Sequence, residues 1–386
     1  MRAWPRGRPA AGLTSLATFV CGLMAYAASA EAGEMGDFPR ISGTIPFQIQ
    51  NDYNFDQDGV SDWNNLTTDT EPDLTIDFIP GPPNLILYAH SVLETVGNGP
   101  KPGKDAYFKD TGLYMQDLNL SYGNGRWGVL GGKFTPDFGQ AWNLAPDLYG
   151  QDIPQDYEFD ERIGLGAAYT FGDGSFGLHT FSATTFFLDT TFLSDSIITS
   201  RGRTKKSDGG PSNTQSLDSF SLVYDGAALP IRALPGLEYE LGMISQAKGS
   251  TEDAREVGYV VSANASFPLN GSDAVLAYEF IELKPLLEFV YFDDYDGVKG
   301  QDRSYTTASL ELIYKQWDFG AAYSYVHTDH PADPSGNDHG YEVSLQGGYT
   351  LENGFGIAVG WNYARDPDDG SEGQMIGIEF TYEYDW

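Results

Sequence analysis

Ile376-Gly377-Ile378-Glu379-Phe380-Thr381-Tyr382-Glu383-Tyr384-Asp385-Trp386 changes between apolar and polar at almost every step. A period of two is that of an extended strand. It puts Ile376, Ile378, Phe380, Tyr382, Tyr384 and Trp386 on one face, and Gly377, Glu379, Thr381, Glu383 and Asp385 on the other. Residues 338–351 repeat the pattern, with Tyr341, Val343, Leu345 and Tyr349 opposite Glu342, Ser344, Gln346 and Thr350. So do residues 355–364, where Phe355, Ile357, Val359, Trp361 and Tyr363 oppose Gly356, Ala358, Gly360 and Asn362.

An apolar face has two possible neighbours, a protein core or lipid. Aromatics here gather near the strand ends (Tyr349, Tyr363, Tyr382, Tyr384, Trp386), where strands of a membrane barrel cross the headgroup regions. The opposite face is small or polar, as a water-filled interior requires. After residue 30 no run of eighteen apolar residues occurs, so no membrane helix is expected, and a spanning chain without helices must close into a barrel.

Turn chemistry sets the strand count. Short connections fall at 80–83, 123–125, 172–174, 227–235, 270–272, 316–318 and 352–354, rich in Gly, Asn or Pro. Longer polar ones fall near 52–71, 96–109, 136–158, 189–215, 248–254, 294–303, 328–338 and 366–371. Their alternation predicts an all-β, transmembrane antiparallel β-barrel of about sixteen strands, with short periplasmic turns and long extracellular loops. Residues 274–291 are irregular: the apolar register is even through Leu276, Tyr278 and Phe280, then odd at Leu287, Phe289 and Tyr291. One long strand with a bulge at Lys284-Pro285 accounts for this; two strands are the alternative and would change the count.

Residues 1–30 read as a cleaved signal peptide. Arg2, Arg6 and Arg8 precede an apolar stretch from 13 to 26, and Ala28-Ser29-Ala30 supplies a cleavage pattern before Glu31. Residues 31–386 then form the barrel. Cys21 is the sole cysteine and leaves with that segment, so the mature chain has no disulfide to rely on. The segment also takes three of the 22 basic residues and none of the 55 acidic ones, which leaves 19 against 55, or −36. That charge excludes nucleic-acid binding and favours cations.

The closing strand, ending on an aromatic, resembles the assembly signal of Gram-negative outer-membrane porins. The likeness implies recognition of Tyr382, Tyr384 and Trp386 by the barrel-assembly machinery, an outer-membrane location and a homotrimer. A second stretch, Gly131-Gly132-Lys133-Phe134-Thr135-Pro136-Asp137-Phe138-Gly139 with Glu161-Arg162 beyond it, is similar to phosphate- and siderophore-type porins. An anion-selective pore would need interior lysine and arginine, which this chain lacks, so the likeness extends to architecture and not to substrate.

In porins the third loop folds into the barrel, which the resemblance implies for residues 136–158. Asp137, Asp147, Asp152, Asp156 and Glu158 would then form an acidic constriction, with Lys133, Arg162 and Lys315 facing it across a transverse field. Carboxylates at a constriction favour cations; neutralising Asp152, Asp156 and Glu158 should weaken that preference. The bland alternative is a solvated outer loop.

Elsewhere, Asn54, Asp56, Asp58, Val60 and Asp62 have calcium-loop spacing with Gly59 at the sixth position, but Asn65 stands where a bidentate glutamate belongs and no helices flank it. Weak calcium binding outside the cell is the functional reading, a turn-rich acidic loop the plain one; no other cofactor is expected. His327, Asp329, His330 and His339 fit no tight metal site. Arg201, Arg203, Lys205 and Lys206 form a basic cluster for acidic loops, lipopolysaccharide phosphates or a neighbouring subunit.

The expected function is passive diffusion of small polar solutes through a channel set in outer-membrane lipid and lipopolysaccharide. A substrate-specific uptake channel would share the fold and differ in saturation. An enzyme is not expected, because His179 and Ser182 alternate onto opposite faces and no triad assembles. A soluble secreted β-sandwich would dissolve without detergent.

Overall fold

The computed structural model describes residues 38–386 except 58, 80, 98–100, 232, 270–280 and 331–337. The signal segment, Asp58, Pro80, the 270–272 turn, the first part of the irregular 274–291 stretch and most of the seventh loop lie outside the described residues.

Among the described residues sixteen barrel strands follow in chain order, besides the short strand Ala106–Tyr107 that pairs parallel with Asn65-Leu66. They are β1 Arg40–Phe55, β2 Trp63–Thr70 continued by Asp73–Asp77, β3 Asn84–Thr95, β4 Thr111–Asn124, β5 Trp127–Phe134, β6 Arg162–Asp173, β7 Gly177–Leu188 and β8 Ser219–Ala227. Then come β9 Glu238–Gln246, β10 Glu256–Asn264 continued by Phe267–Pro268, β11 Ile281–Asp293, β12 Asp302–Tyr314, β13 Trp317–Asp329, β14 Asp338–Thr350, β15 Phe355–Arg365 and β16 Glu372–Asp385. Each pairs antiparallel with its sequence neighbours, and β1 pairs with β16 from Thr44↔Asp385 to Phe55↔Gln374. The sheet is therefore closed and has no edge. At the seam Gly43 and Trp386 exchange backbone hydrogen bonds of 3.1 Å, so the last residue completes the ladder.

The alternation is realised around the wall. Ile49, Leu120, Leu165, Leu241, Val261, Leu287, Leu345 and Val359 point out and are exposed. Tyr122, Tyr314, Trp317, Tyr382 and Tyr384 circle the turn end, and Tyr53 and Tyr259 stand toward the loop end, also exposed. No helix among the described residues is long and apolar enough to cross a membrane. The chain is an outer-membrane-type β-barrel.

Three readings of the sequence change. Trp63–Thr70 is strand rather than first loop. Polar side chains stand on both faces of this strand (Asn64, Thr68 and Thr70 outward; Asn65, Thr67 and Asp69 inward), so it shows no alternation of polarity. The break inside β2 falls at Pro72, which has no N–H to give the ladder. The turn placed at 316–318 is Lys315-Gln316, with Lys315 at φ 57, and Trp317 and Asp318 already belong to β13. No bulge occurs at Pro285: β11 keeps one register with β12 from Ile281↔Tyr314 to Phe292↔Arg303. The proline instead thins the ladder to the other neighbour, where the Ala265 amide still reaches the Pro285 carbonyl at 3.2 Å but Pro285 has no N–H to return, and strand pairing resumes at Phe267↔Leu283.

Candidate functional site: the barrel interior and the third loop

The third loop, residues 135–161, leaves β5 and crosses the inside of the barrel. Each step is tied to the wall by a side chain from an inward position. Ser182 on β7 donates to Asp137 Oδ2 (3.0 Å), and Ser221 on β8 donates to the Asp137 carbonyl (2.5 Å). Glu240 on β9 accepts the Gly139 amide at 2.6 Å. Glu288 on β11 accepts the amides of Gln140 (2.6 Å) and Ala141 (3.1 Å) and the Tyr157 hydroxyl (2.7 Å). Further across, Gln346 on β14 accepts the Leu148 amide (3.0 Å) and donates to Asp147 (3.1 Å). The far end is the Tyr149 hydroxyl, which donates to Asp52 on β1 at 2.8 Å.

The tip needs room, and two glycines supply it. A Cβ on Gly360 would collide with Leu148, and one on Gly377 with the Tyr149 hydroxyl. Both occupy inward positions, on β15 and β16, so the wall is hollowed where the loop arrives.

On its near side the loop builds an apolar core. Phe138, Phe159, Tyr157 and Ile153 pack with Phe292, Tyr305, Ile244, Val260, Val290 and Val326 from the inward faces of β9 to β13. Ring centroids lie 5.6 Å apart for Phe138–Phe159, 5.7 Å for Phe138–Phe292 and 5.1 Å for Tyr157–Tyr305, ordinary aromatic packing distances. The expectation that the inner face is small or polar throughout therefore fails on these strands. A loop with six large apolar side chains cannot lie in water and brings its own partners.

The other arc of the wall is mostly polar, apart from the buried cluster of Val92, Val96 and Tyr114 at the loop end of β3 and β4. Gln48, Gln50 and Asp52 on β1, Asn65, Thr67 and Asp69 on β2, His90 on β3, Asp117 on β4, Glu342 on β14, Asn362 on β15 and Glu379 on β16 take inward positions. Gln48 donates to Glu379, and His90 sits between Asp73 (2.7 Å) and Glu71 (3.4 Å). A register shift opposite His90/Ser91 leaves Gln116 as an extra residue in β4. Gln116 and Asp117 consequently both point inward, and Gln116 reaches Glu158 at 3.4 Å. Below the loop, at the turn end, a cavity of about 650 Å³ is bordered by Asp147, Glu238, Glu311, Asp318, Glu379, Lys284 and Lys315.

The residues expected at a constriction separate into groups. Asp137 is a tether to β7 and β8. Asp147 and Asp152 stand at the tip, beside Gln346 and Glu342. Asp156 receives the Tyr305 hydroxyl at 3.1 Å and lies 3.6 Å from Arg303; burial pushes its carboxyl up from 3.8 to about 6, against the pull of Arg303 and Tyr305. Lys133 does not face the loop's acids across open space. It is 2% exposed and bridges Glu161 (2.8 Å) and Asp189 (2.7 Å). Burial and Asp160 raise Glu161, while Lys133 and Arg201, the latter at 2.5 Å, pull it down. Arg162 donates to the Asp160 carbonyl at 2.6 Å, and Lys315 sits in a turn. Of the three bases, Lys133 is locked between two acids, Arg162 lies beside Asp160, and Lys315 borders the same turn-end cavity as Asp147.

Glu240, Glu288, Glu342 and Glu379 were missed as site residues, although their signal is present. Each is an acid between two outward apolar residues, as in Tyr239-Glu240-Leu241 and Leu287-Glu288-Phe289.

In the first loop, Asp62 accepts from Tyr53 (2.7 Å) and Asp56 from Gln374 (2.9 Å). Among the described residues no group of three or more His, Cys, Asp or Glu is placed to hold a metal ion. His330 contacts Asp338 and Gln301, His327 contacts Asp329, and His339 stacks on Tyr325; His327 and His339 are opposite one another on β13 and β14, and His330 keeps its own partners. His179 stacks outward with Phe171 and Tyr224, while Ser182 points inward to Asp137.

Neither a family model nor a curated protein matches the sequence. Solved structures match the fold. It is similar to Pseudomonas putida OprB, at 12% identity and TM-score 0.58, covering 89% of this chain and 94% of that one. It is similar to a loop-deletion form of OmpT, an outer membrane protein of Vibrio cholerae, at 10% identity and TM-score 0.55, covering 90% and 100%. OpdK of Pseudomonas aeruginosa, solved with vanillate, matches at 10% identity and TM-score 0.53, covering 90% and 99%. At such identities the likeness is one of fold.

Proposed function

We propose that the chain forms an outer-membrane diffusion channel for small polar solutes that prefers cations to anions. One observation carries this reading: carboxylates stand on the strand wall (Asp52, Asp117, Glu342, Glu379) and on the third loop (Asp147, Asp152, Glu158), while the nearby bases Lys133, Arg201 and Arg303 are each bound to an acid. Low-dielectric walls strengthen the field of such carboxylates and raise the local cation concentration. Vanillate, the solute named with OpdK, is a carboxylate, and this interior would repel it. Trimeric assembly and recognition of Tyr382, Tyr384 and Trp386 by the assembly machinery belong to the same proposal.

The test is reconstitution in planar bilayers under a potassium chloride gradient, with flux of neutral and cationic solutes measured alongside. Linear flux with a cation-directed reversal potential supports a diffusion channel. Flux of one solute that saturates at low concentration would favour the substrate-specific alternative.

A further inference from the structure

The third loop has two stems, and both close on one cation. It leaves the wall just after Lys133, near the end of β5, and returns at Glu161, just before β6 begins at Arg162. Phe134 pairs with Arg162, and Arg162 with Leu188 on β7, so Glu161 is the first residue off both ladders. It holds φ 56. This left-handed conformation turns the chain out of the strand direction at a cost to any residue with a Cβ. Such a residue persists only where its surroundings hold it.

The fourth loop, residues 189–218, supplies those surroundings. Its Asp189 amide donates to the Glu161 carbonyl at 3.0 Å. The Asp189 carboxylate meets Lys133 at 2.7 Å, and Lys133 Nζ also donates to Glu161 Oε2 (2.8 Å) and the Leu193 carbonyl (3.1 Å). Arg201 then closes on the other carboxylate oxygen, Glu161 Oε1, at 2.5 Å.

The position of Arg201 is itself fixed. Its guanidinium lies over the Tyr114 ring, 3.7 Å from the centroid, and its Nε donates to the Ser194 carbonyl at 3.0 Å. Its amide donates to the Ser196 hydroxyl at 3.0 Å. The loop that carries it is tied to β4 by a two-way backbone bridge between Leu113 and Ile197, at 3.0 and 2.8 Å. Charge balance gives Arg201 its task. Glu161 and the buried Asp189 are two carboxylates, and Lys133 alone would neutralise one of them. A buried carboxylate stripped of its cation is strongly destabilised where it stands. Without Arg201 the returning stem would lose the contact that fixes its end, just beyond Asp156, Tyr157 and Glu158.

We propose that Arg201 is a positioning residue for the third loop: by holding Glu161 it fixes the hinge from which residues 156–161 extend into the barrel, so an outer loop controls the width the third loop leaves open. The effect on conduction rests on the diffusion-channel reading; the latch itself does not.

The experiment compares the folded barrel in detergent as wild type, Arg201→Ala and Arg201→Lys, each checked for folding by heat-modifiable migration. Hydrogen–deuterium exchange is followed by mass spectrometry of peptides from both loops, with single-channel current in planar bilayers recorded beside it. The Asp156 and Glu158 amides are hydrogen-bonded at 3.1 Å each, so their exchange reports opening of the stem. In Arg201→Ala exchange at residues 156–161 should quicken on the order of tenfold, as expected for one lost charge-assisted hydrogen bond, and the current should become noisier. Arg201→Lys keeps a cation for Glu161 and should restore most of both. Unchanged exchange in Arg201→Ala would overturn the proposal. So would a rise confined to residues 192–204, where Arg201 would pin only its own loop, or one spread evenly over the strands. Faster exchange at 156–161 with an unchanged current would uphold the latch and count against the channel reading.

Discussion

Two arcs of one barrel wall share a backbone geometry and differ in what they face. On β9 to β13 the inward positions hold Ile244, Val260, Val290, Phe292 and Val326, and the third loop packs onto them as a hydrophobic core. On β14 to β16 and β1 to β4 the inward positions hold Glu342, Asn362, Glu379, Asp52, Asp69 and Asp117, and the loop meets them with its tip and, at β4, with Glu158. Inward-facing therefore does not mean wet. The loop decides which arc is filled by its apolar core and which keeps polar inward side chains, and two acids on the filled arc, Glu240 and Glu288, serve as its anchors.

Breaking the anchor should have the largest effect. Glu288 accepts three hydrogen bonds from the loop, two from amides with no other partner in the loop's own structure, and charged acceptors of this kind are each worth about 1.5–3 kcal/mol. Glu288→Ala should lower stability by about 3 kcal/mol or more and give a larger, noisier single-channel conductance. Glu288→Gln, which keeps an acceptor oxygen, should fall between. Conductance identical to wild type in Glu288→Ala would mean that the loop is held by its apolar contacts alone.

A smaller effect is expected from filling the hollow that receives the tip. Gly377→Val would push Tyr149 off Asp52, at an overpacking cost of about 1–3 kcal/mol. The thermal midpoint should drop while conductance changes less than in Glu288→Ala. Third, if the acidic arc lines the channel as proposed, neutralising it with Asp52→Asn, Glu342→Gln and Glu379→Gln should shift the reversal potential toward zero. The same number of neutral substitutions on the loop's tethered Asp137 and the outer loops should shift it little.

The smallest effect is a pH dependence. Asp156, raised to about 6 by burial, takes up a proton between pH 7 and 5, and the interior loses a negative charge beside Arg303. Cation preference should decline slightly over that range, and Asp156→Asn should remove that part of the decline. For stability the sign is that of a carboxyl harder to ionise in the fold: between about pH 4 and 6 the folded chain keeps a proton the unfolded chain has lost. Rising pH through that window therefore costs stability, and Asp156→Asn should flatten the slope of the thermal midpoint there.

Much of the barrel was legible because period-two alternation and turn chemistry are local properties. Where both faces are polar, as in Trp63–Thr70, the rhythm vanishes and the strand reads as loop. Pro285 misled for the opposite reason, since a proline in a strand suggests a bulge although it need only leave one neighbour's ladder. The third loop could be singled out by its length and acids, yet its apolar Phe138, Tyr157 and Phe159 point to the core, and the matching inward apolar residues, from Ile244 to Val326, are far along the chain and carry no local signal of the match. Lys133 looked like a pore charge because sequence does not show that Glu161 and Asp189 close around it.

The reversal potential of the purified, reconstituted protein under a tenfold potassium chloride gradient tests the central claim most directly. An interior lined by carboxylates on wall and loop predicts a potential of the sign set by potassium. A potential of the sign set by chloride would contradict it.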